Sequence, residues 1–139
     1  MDFLVVYFSR GGKTKKVAEA ITKELGCEAI DANKKTPDIS GVDLLIVGSG
    51  NYGSKPGEPI QKFLENIQPT SNQKAAVFAT TGGPDPKCVT IMKETLQTKG
   101  YTIVSSFYCP GKFLFANRGR PNADDLKNAQ AFARELKNL

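Results

Sequence analysis

Residues 4–25 read LVVYFSRGGKTKKVAEAITKEL and join an apolar run, a loop rich in glycine and hydroxyls, and a helical pattern. The run from Leu4 to Phe8 is typical of a strand that is buried on both faces. Apolar residues then recur at helical spacing as far as Leu25, and Gly26 is placed to end the helix. A tight turn before a helix directs backbone N–H groups and the positive end of the helix dipole at one point. This stretch therefore predicts a site for a phosphate-sized anion.

Length and composition indicate one ordinary globular domain over residues 1–139. The chain is 40% hydrophobic and 24% charged, and its longest apolar runs are only as long as a strand. The start, MDFLVVYFSR, has no basic segment and no cleavage site of the kind found in signal peptides. Three cysteines without a CxxC spacing favour a reducing compartment. We therefore expect a cytoplasmic protein that is not associated with a membrane.

The chain contains no histidine. This excludes His-dependent catalytic triads, the usual imidazole general base and most zinc sites. We therefore expect neither a catalytic side chain nor a metal centre. The net charge is +5, but the basic residues are scattered, with no basic helix and no interleaved aromatic residues. Nucleic-acid binding is accordingly not predicted.

Strand and helix patterns alternate along the whole chain. Strands are predicted over residues 4–8, 27–31, 43–48, 74–78 and 101–108, and helices over a segment ending at residue 25 and over 58–68, 85–98 and 122–138. The last helix is expected to bury Leu126, Ala129, Ala133 and Leu136, with Phe132 at the margin. Residues 32–42 carry turn signals and too few apolar side chains for a helix. This alternation predicts an α/β fold with a five-stranded parallel sheet and helices on both faces.

Three loops of small and hydroxyl-bearing residues follow strands one, three and four. They comprise residues 9–14, 48–57 and 80–84. Ligands of open parallel sheets bind beyond the carboxyl ends of the strands, so the three loops predict a single site.

Other phosphate-binding motifs do not fit these residues. Gly12-Lys13-Thr14 is similar to the end of a Walker A loop, but Tyr7 stands where that motif needs its first glycine. Residues 48–53 match GxGxxG, but they follow a central strand instead of the first one. A phosphotransfer receiver needs acidic residues after the first strand and a low-molecular-weight phosphatase needs a cysteine there, whereas this chain has Phe8-Ser9. A flat, phosphate-bearing cofactor that brings its own chemistry fits better.

The chain resembles the short-chain flavodoxin family over essentially its whole length. The family's phosphate loop is roughly [Ser/Thr]-x-[Ser/Thr]-Gly-x-[Ser/Thr], and residues 9–14 match at Ser9, Gly12 and Thr14 but lack the hydroxyl at Gly11. The segments VGSGNYGSKPGEPIQKF and GRPNADDLKNAQAFAREL also resemble the family. The resemblance implies the flavodoxin-like three-layer sandwich with strand order 2-1-3-4-5.

The resemblance also implies FMN as the cofactor. Its phosphate would lie at residues 9–14, and its ring between residues 51–55 and 80–84. Tyr52 would stack on the isoalloxazine ring, and Gly53 would stand where family members turn a peptide toward flavin N5 on reduction. The implied cofactor-binding residues are Ser9, Arg10, Gly11, Gly12, Lys13, Thr14, Asn51, Tyr52, Gly53, Ser54, Lys55, Thr80, Thr81, Gly82 and Gly83.

The implied function is one-electron transfer by a flavoprotein, with two alternatives. One alternative is an FMN-dependent oxidoreductase, for instance of quinones, because the third loop has no aromatic residue to cover the flavin. The other is a binding domain of the same fold without a cofactor. We therefore predict an electron carrier rather than an enzyme with its own substrate, present as a monomer or weak dimer.

The loops at the predicted cofactor edge are basic, although flavodoxins are commonly acidic. They contain the cations Arg10, Lys13, Lys55, Lys87, Lys112, Arg118 and Arg120 against the anions Glu58 and Asp85. This excess suggests docking of an acidic redox protein, such as a ferredoxin or a reductase, or capture of a phosphate-bearing substrate. Cys109 is expected at the same edge as a packed thiol.

Overall fold

A computed structural model of the protein describes residues 2–82, 86–110 and 119–139. The strands are β1 (Phe3–Phe8), β2 (Glu28–Asp31), β3 (Leu44–Gly50), β4 (Lys74–Thr81) and β5 (Thr102–Pro110). The helices are α1 (Lys13–Leu25), α2 (Glu58–Asn66), α3 (Lys87–Thr98) and α4 (Ala123–Lys137). The predicted start of the third helix at Asp85 falls outside the described residues.

The five strands form one parallel sheet in the order β2-β1-β3-β4-β5. The predicted fold class and strand order are thus confirmed. Strands β1, β3 and β4 are adjacent and parallel, so their carboxyl ends are neighbours. The strand order reverses between β1 and β3. The loops that follow these three strands therefore meet at one edge of the sheet.

Two hydrophobic layers sandwich the sheet because side chains alternate between its faces. Val5 and Ile46 point toward α1 and α4, whereas Val6 and Val47 point toward α2 and α3. The strands β3 and β4 are buried almost throughout, as expected for central parallel strands covered on both faces. Gly48 is required by this packing, because a Cβ there would lie 2.0 Å from the ring of Phe78.

The buried face of α4 includes Ala129, Ala133 and Leu136 as predicted and differs from the prediction only in the ranking of Phe132 and Leu126. Phe132 is 5% exposed and stacks on Phe107 of β5, with 5.5 Å between ring centroids, whereas Leu126 is only partly buried. The prediction that Phe132 lies at the margin was wrong. The helical period alone places both residues near the apolar face, and the ring of Phe107 on the edge strand decides between them.

The crossover from β2 to β3 contains no helix. Residues 32–43 run back along the sheet as an irregular segment, as their turn signals predict. Only Ala32, Ile39 and Val42 of this segment pack against the core, and each is partly buried. At this crossover the sheet is therefore covered by an irregular segment and not by a helix. Among the described residues, no helix is long and apolar enough to cross a membrane.

Candidate functional site

Hydrogen bonds tie the three loops together at the carboxyl edge of the sheet. The hydroxyls of Thr14 and Thr80 share a buried hydrogen bond of 2.7 Å. The Asn51 amide N–H donates to the Thr80 carbonyl at 2.9 Å, and its side-chain Nδ2 donates to Thr81 Oγ1 at 3.2 Å. The structure thus brings together residues from all three segments that the sequence pattern selected.

The first loop presents a helix N-terminus without a side-chain cap. Gly12, at the N-cap, has φ of 89°, and its N–H donates to Ser9 Oγ at 3.0 Å. No acidic residue lies in the first turn of α1. Since the first N–H groups of a helix have no partner within it, this end favours an anion. The Ser9 hydroxyl accepts from Gly12 and keeps its own proton available for donation.

The side-chain positions of both glycines in this loop are open. A Cβ added to Gly11 or Gly12 would meet no atom within 4 Å. The hydroxyl that is missing at Gly11 is therefore not excluded by packing. Thr14 was predicted to bind the cofactor. In the structure its hydroxyl is buried and joins the first loop to Thr80 of β4.

The second loop closes with a two-residue turn at Gly53 and Ser54. The Tyr52 N–H donates to the Lys55 carbonyl at 2.8 Å, and the Lys55 N–H donates back at 3.1 Å. The φ angles of Gly53 and Ser54 are 59° and 67°, which are the left-handed values that a type I′ turn requires at both positions. Ser54 is the only non-glycine residue with a positive φ among the described residues. It therefore holds backbone strain at an exposed tip.

Tyr52 packs against its own protein in this structure. Its hydroxyl oxygen accepts from the Arg10 N–H at 3.0 Å, and the Arg10 guanidinium lies 4.3 Å from its ring centroid. The ring of Phe8 approaches edge-on, with 6.0 Å between centroids. Tyr52 thus holds the first loop against the second, and its stacking on a flavin stays a prediction.

Two glycines that the sequence analysis did not select make this packing possible. A Cβ at Gly50 would lie 2.6 Å from the Tyr52 ring, and one at Gly57 would lie 2.3 Å from the Phe8 ring. Gly57 also donates its N–H to the buried Ser49 hydroxyl at 2.8 Å, just before α2 begins. The sequence signal that could have identified them is that Gly50 and Gly57 lie on either side of Tyr52, an aromatic residue in a loop.

The third loop contributes two buried threonines and Gly82. Thr80 and Thr81 are 6% and 4% exposed, and both bond to neighbouring loops. The predicted site residue Gly83 lies outside the described residues.

The charges at the edge differ from the count made on the sequence. Arg120 forms a bidentate ion pair with Asp125, with 2.6 Å between Nη2 and Oδ1, and this hydrogen bonding lowers the pKa of Asp125. Glu58 pairs with Lys62 at 3.1 Å. Arg10 and Lys55 are exposed and Lys13 is half-buried, while Lys112 and Arg118 lie outside the described residues. Of the counted cations that the structure describes, Arg10, Lys13 and Lys55 belong to the first two loops, and Lys87 begins α3.

The three cysteines are thiols without the environment of a nucleophile. Burial raises the pKa of Cys109 and of Cys88 to about 12, and that of Cys27 to about 11. A thiol with such a pKa is not a thiolate at neutral pH. Among the described residues, no three His, Cys, Asp or Glu side chains are grouped so that they could hold a metal ion.

Comparisons with known proteins agree with this arrangement. A family model described as a flavodoxin domain matches residues 4–113. An uncharacterized protein of Methanocaldococcus jannaschii is 36% identical over 98% of this chain and 98% of its own length. A flavodoxin of Clostridium beijerinckii is 30% identical over 73% of this chain and 80% of its own. A solved flavodoxin from the Archaea superposes with a TM-score of 0.78 at 21% identity, covering 98% of this chain and 96% of its own.

Proposed function

The chain belongs to the flavodoxin family, and we propose that it binds FMN without a covalent bond and passes electrons one at a time between partner proteins. The observation that carries this proposal is the open N-terminus of α1, which has no acidic residue in its first turn and lies where three loops meet. FMN would supply the redox chemistry, and the protein would bind and orient it.

The first loop would hold the phosphate. The backbone N–H groups at the start of α1, the Ser9 hydroxyl and the charge of Lys13 are the donors that this loop offers. The bond between Thr14 and Thr80 would fix the loop relative to β4, so that the donors keep their positions without a ligand. Such preorganisation lowers the entropic cost of binding.

The second loop would respond to the redox state through its turn. Turning over the peptide between Gly53 and Ser54 converts a type I′ turn into a type II′ turn, which needs a positive φ only at the first central residue. Ser54 would then leave the left-handed region, while Gly53 tolerates both forms. A Cβ at Gly53 would meet no atom within 4 Å, so the turn is open on the side-chain side of this residue.

A titration of the purified protein with FMN tests the proposal. We expect saturable quenching of flavin fluorescence with one FMN per chain, and two separable one-electron steps when the complex is reduced with dithionite. Riboflavin, which lacks the phosphate, is the matched control and should bind more weakly. If FMN does not bind, both redox functions are wrong and a cofactor-free binding domain is left.

A second candidate function is an FMN-dependent reductase of a small acceptor such as a quinone. It is favoured by the position of Tyr52, whose ring is engaged by Arg10 and Phe8. It is also favoured by the described part of the third loop, Thr80 to Gly82, which has no aromatic residue. Steady oxidation of NAD(P)H by the FMN complex with benzoquinone, in the absence of a partner protein, would favour this reductase. A rate no higher than that of free FMN would favour the carrier.

The basic edge suggests which partner the carrier would meet. Arg10, Lys13 and Lys55 lie on the first two loops, beside the proposed flavin site. An acidic redox protein would be attracted to this edge and oriented by it.

A further inference from the structure

A second cavity lies outside the proposed cofactor site, between the irregular crossover segment 32–40 and helix α2. Its volume is about 840 Å³, which is within the range of roughly 300–1,000 Å³ found for small-molecule sites. Of the residues implied to bind the cofactor, only Arg10 borders it. The cavity lies on the side of the sheet that faces α2.

The cavity exists because the β2–β3 crossover forms no helix. The thin segment that replaces a helix leaves Phe8 and Phe63 half-buried, although both pack against the hydrophobic core. Together with Ile39 and Pro59 they give the cavity an apolar lining. The exposed amides of Asn33 and Asn66 stand at its border and can donate hydrogen bonds.

Four charged side chains line the cavity, and three of them are already engaged. Glu58 and Lys62 pair with each other at 3.1 Å. The Asp38 carboxylate accepts from the Ser40 N–H at 2.9 Å, and this hydrogen bonding lowers the pKa of Asp38. Within the described parts of the chain, Arg10 has no carboxylate partner.

Arg10 is instead held over an aromatic ring. Its guanidinium lies 4.3 Å from the Tyr52 ring centroid. A guanidinium placed over a ring keeps N–H donors in its own plane, where they match the oxygens of a carboxylate or sulfonate. The cavity thus combines an apolar lining with one planar cationic group that is available to an anion.

We propose that this cavity binds a small aromatic molecule that carries a single carboxylate or sulfonate. The rings lie against the lining formed by Phe8 and Phe63, and the anionic group pairs with Arg10. This site shares only Arg10 with the residues implied to bind FMN, and its apolar lining lies outside them.

Calorimetric titration with anilinonaphthalene sulfonate tests the proposal, since this probe combines aromatic rings with one sulfonate. We expect one molecule to bind per chain, with shifts of amide NMR signals concentrated in residues 32–40 and 58–68. Arg10→Gln should weaken binding about tenfold, because a charge-assisted contact is lost. Lys16→Gln removes an exposed cation that does not border the cavity, and it should leave the affinity unchanged.

A second pair of variants tests the cavity itself. Asn66→Trp places a large side chain at the border and should abolish binding, whereas Glu65→Trp adds the same ring at an exposed position of α2 outside the cavity. Equal effects of the two tryptophans, absence of saturable binding, or amide shifts spread over the whole surface would overturn the proposal. Complete displacement by FMN would place the probe in the cofactor site instead. Concentration-dependent shifts of the same amides without the probe would show that a second copy of the chain covers the cavity.

Discussion

At the scale of single residues, the proposed phosphate loop departs from the family pattern most clearly at Gly11. A Cβ at this position would stand in open space, and the φ of Gly11 is not in the left-handed region. Gly11→Ser should therefore be accepted without strain and restore a hydroxyl donor. We expect FMN to bind a few times more tightly, since one hydrogen bond is worth about 1 kcal/mol. Gly11→Ala is the matched control, and an equal gain in both variants would mean that backbone stiffening, not the hydroxyl, is responsible.

Lys13 offers a second residue-scale prediction, because it opens α1 beside the same loop. Lys13→Ala should lower the affinity for FMN by roughly threefold to tenfold, as expected for loss of one partly screened charge near a phosphate. Riboflavin affinity should change less, since riboflavin has no phosphate. Lys23→Ala, in the last turn of the same helix, is the control. Equal losses for FMN and riboflavin would show that Lys13 does not act on the phosphate.

At the scale of elements, α4 depends on a cap that also forms an ion pair. The Asn122 side chain accepts from the Asp125 N–H at 3.0 Å, and the Asp125 carboxylate accepts from the Asn122 N–H at 2.8 Å and from Arg120. Asp125→Asn should lower the free energy of unfolding by about 1–3 kcal/mol at neutral pH, measured by urea denaturation. Asp124→Asn, an exposed change in the same turn, should cost much less.

The acid dependence of this cap follows from the pKa shift. Hydrogen bonding from Arg120 lowers the pKa of Asp125 in the folded protein. The contribution of the Asp125 carboxylate to the free energy of unfolding is therefore complete above the unfolded pKa of about 3.9. It is lost as the pH falls through the lower pKa of the folded state. Asp125→Asn should remove that part of the acid-induced loss of stability. If the substitution left the difference in stability between about pH 6 and about pH 3 unchanged, this carboxylate would not have the proposed role.

The elements also show what sequence patterns can and cannot predict. The order of strands and helices was predictable because the apolar residues of strands and helices recur with periods of 2.0 and 3.6 residues, which can be read from the sequence. The missing helix in the β2–β3 crossover was predictable from its turn residues. The burial of Phe132 was not, because it depends on Phe107 from another element. The Arg120–Asp125 pair was missed for the same reason, since a count of loop charges ignores partners on a helix.

The site itself divides along the same line. The three loops could be found from composition, because the carboxyl ends of adjacent parallel strands must meet. The contact between Arg10 and Tyr52 could not be found in this way, since it joins residues 42 positions apart through a backbone N–H and a ring face. The cavity beside α2 was also invisible in the sequence, because it results from what the crossover segment fails to cover.

At the scale of the whole molecule, the positive charge at the sheet's carboxyl edge predicts electron transfer that depends on ionic strength. Arg10 and Lys55 are exposed at that edge, whereas Lys74 is exposed at the start of β4, at the opposite end of the sheet. Charges attract a partner over a Debye length of about 10 Å at 0.1 M salt, so added salt should slow the encounter steeply.

Stopped-flow reduction of the FMN complex by a reduced acidic ferredoxin would measure this attraction. We expect the second-order rate constant to fall with rising salt, because screening weakens the pull on the partner. Lys55→Gln should lower the rate constant at low salt and flatten its salt dependence, whereas Lys74→Gln should do neither. Loss of charge at an edge that orients the partner changes association more than the later electron-transfer step, so the limiting rate at saturation should be preserved. A rate constant that does not change with salt would show that charge does not govern the encounter. Equal responses to the two substitutions would show that net charge, and not the basic edge, governs it.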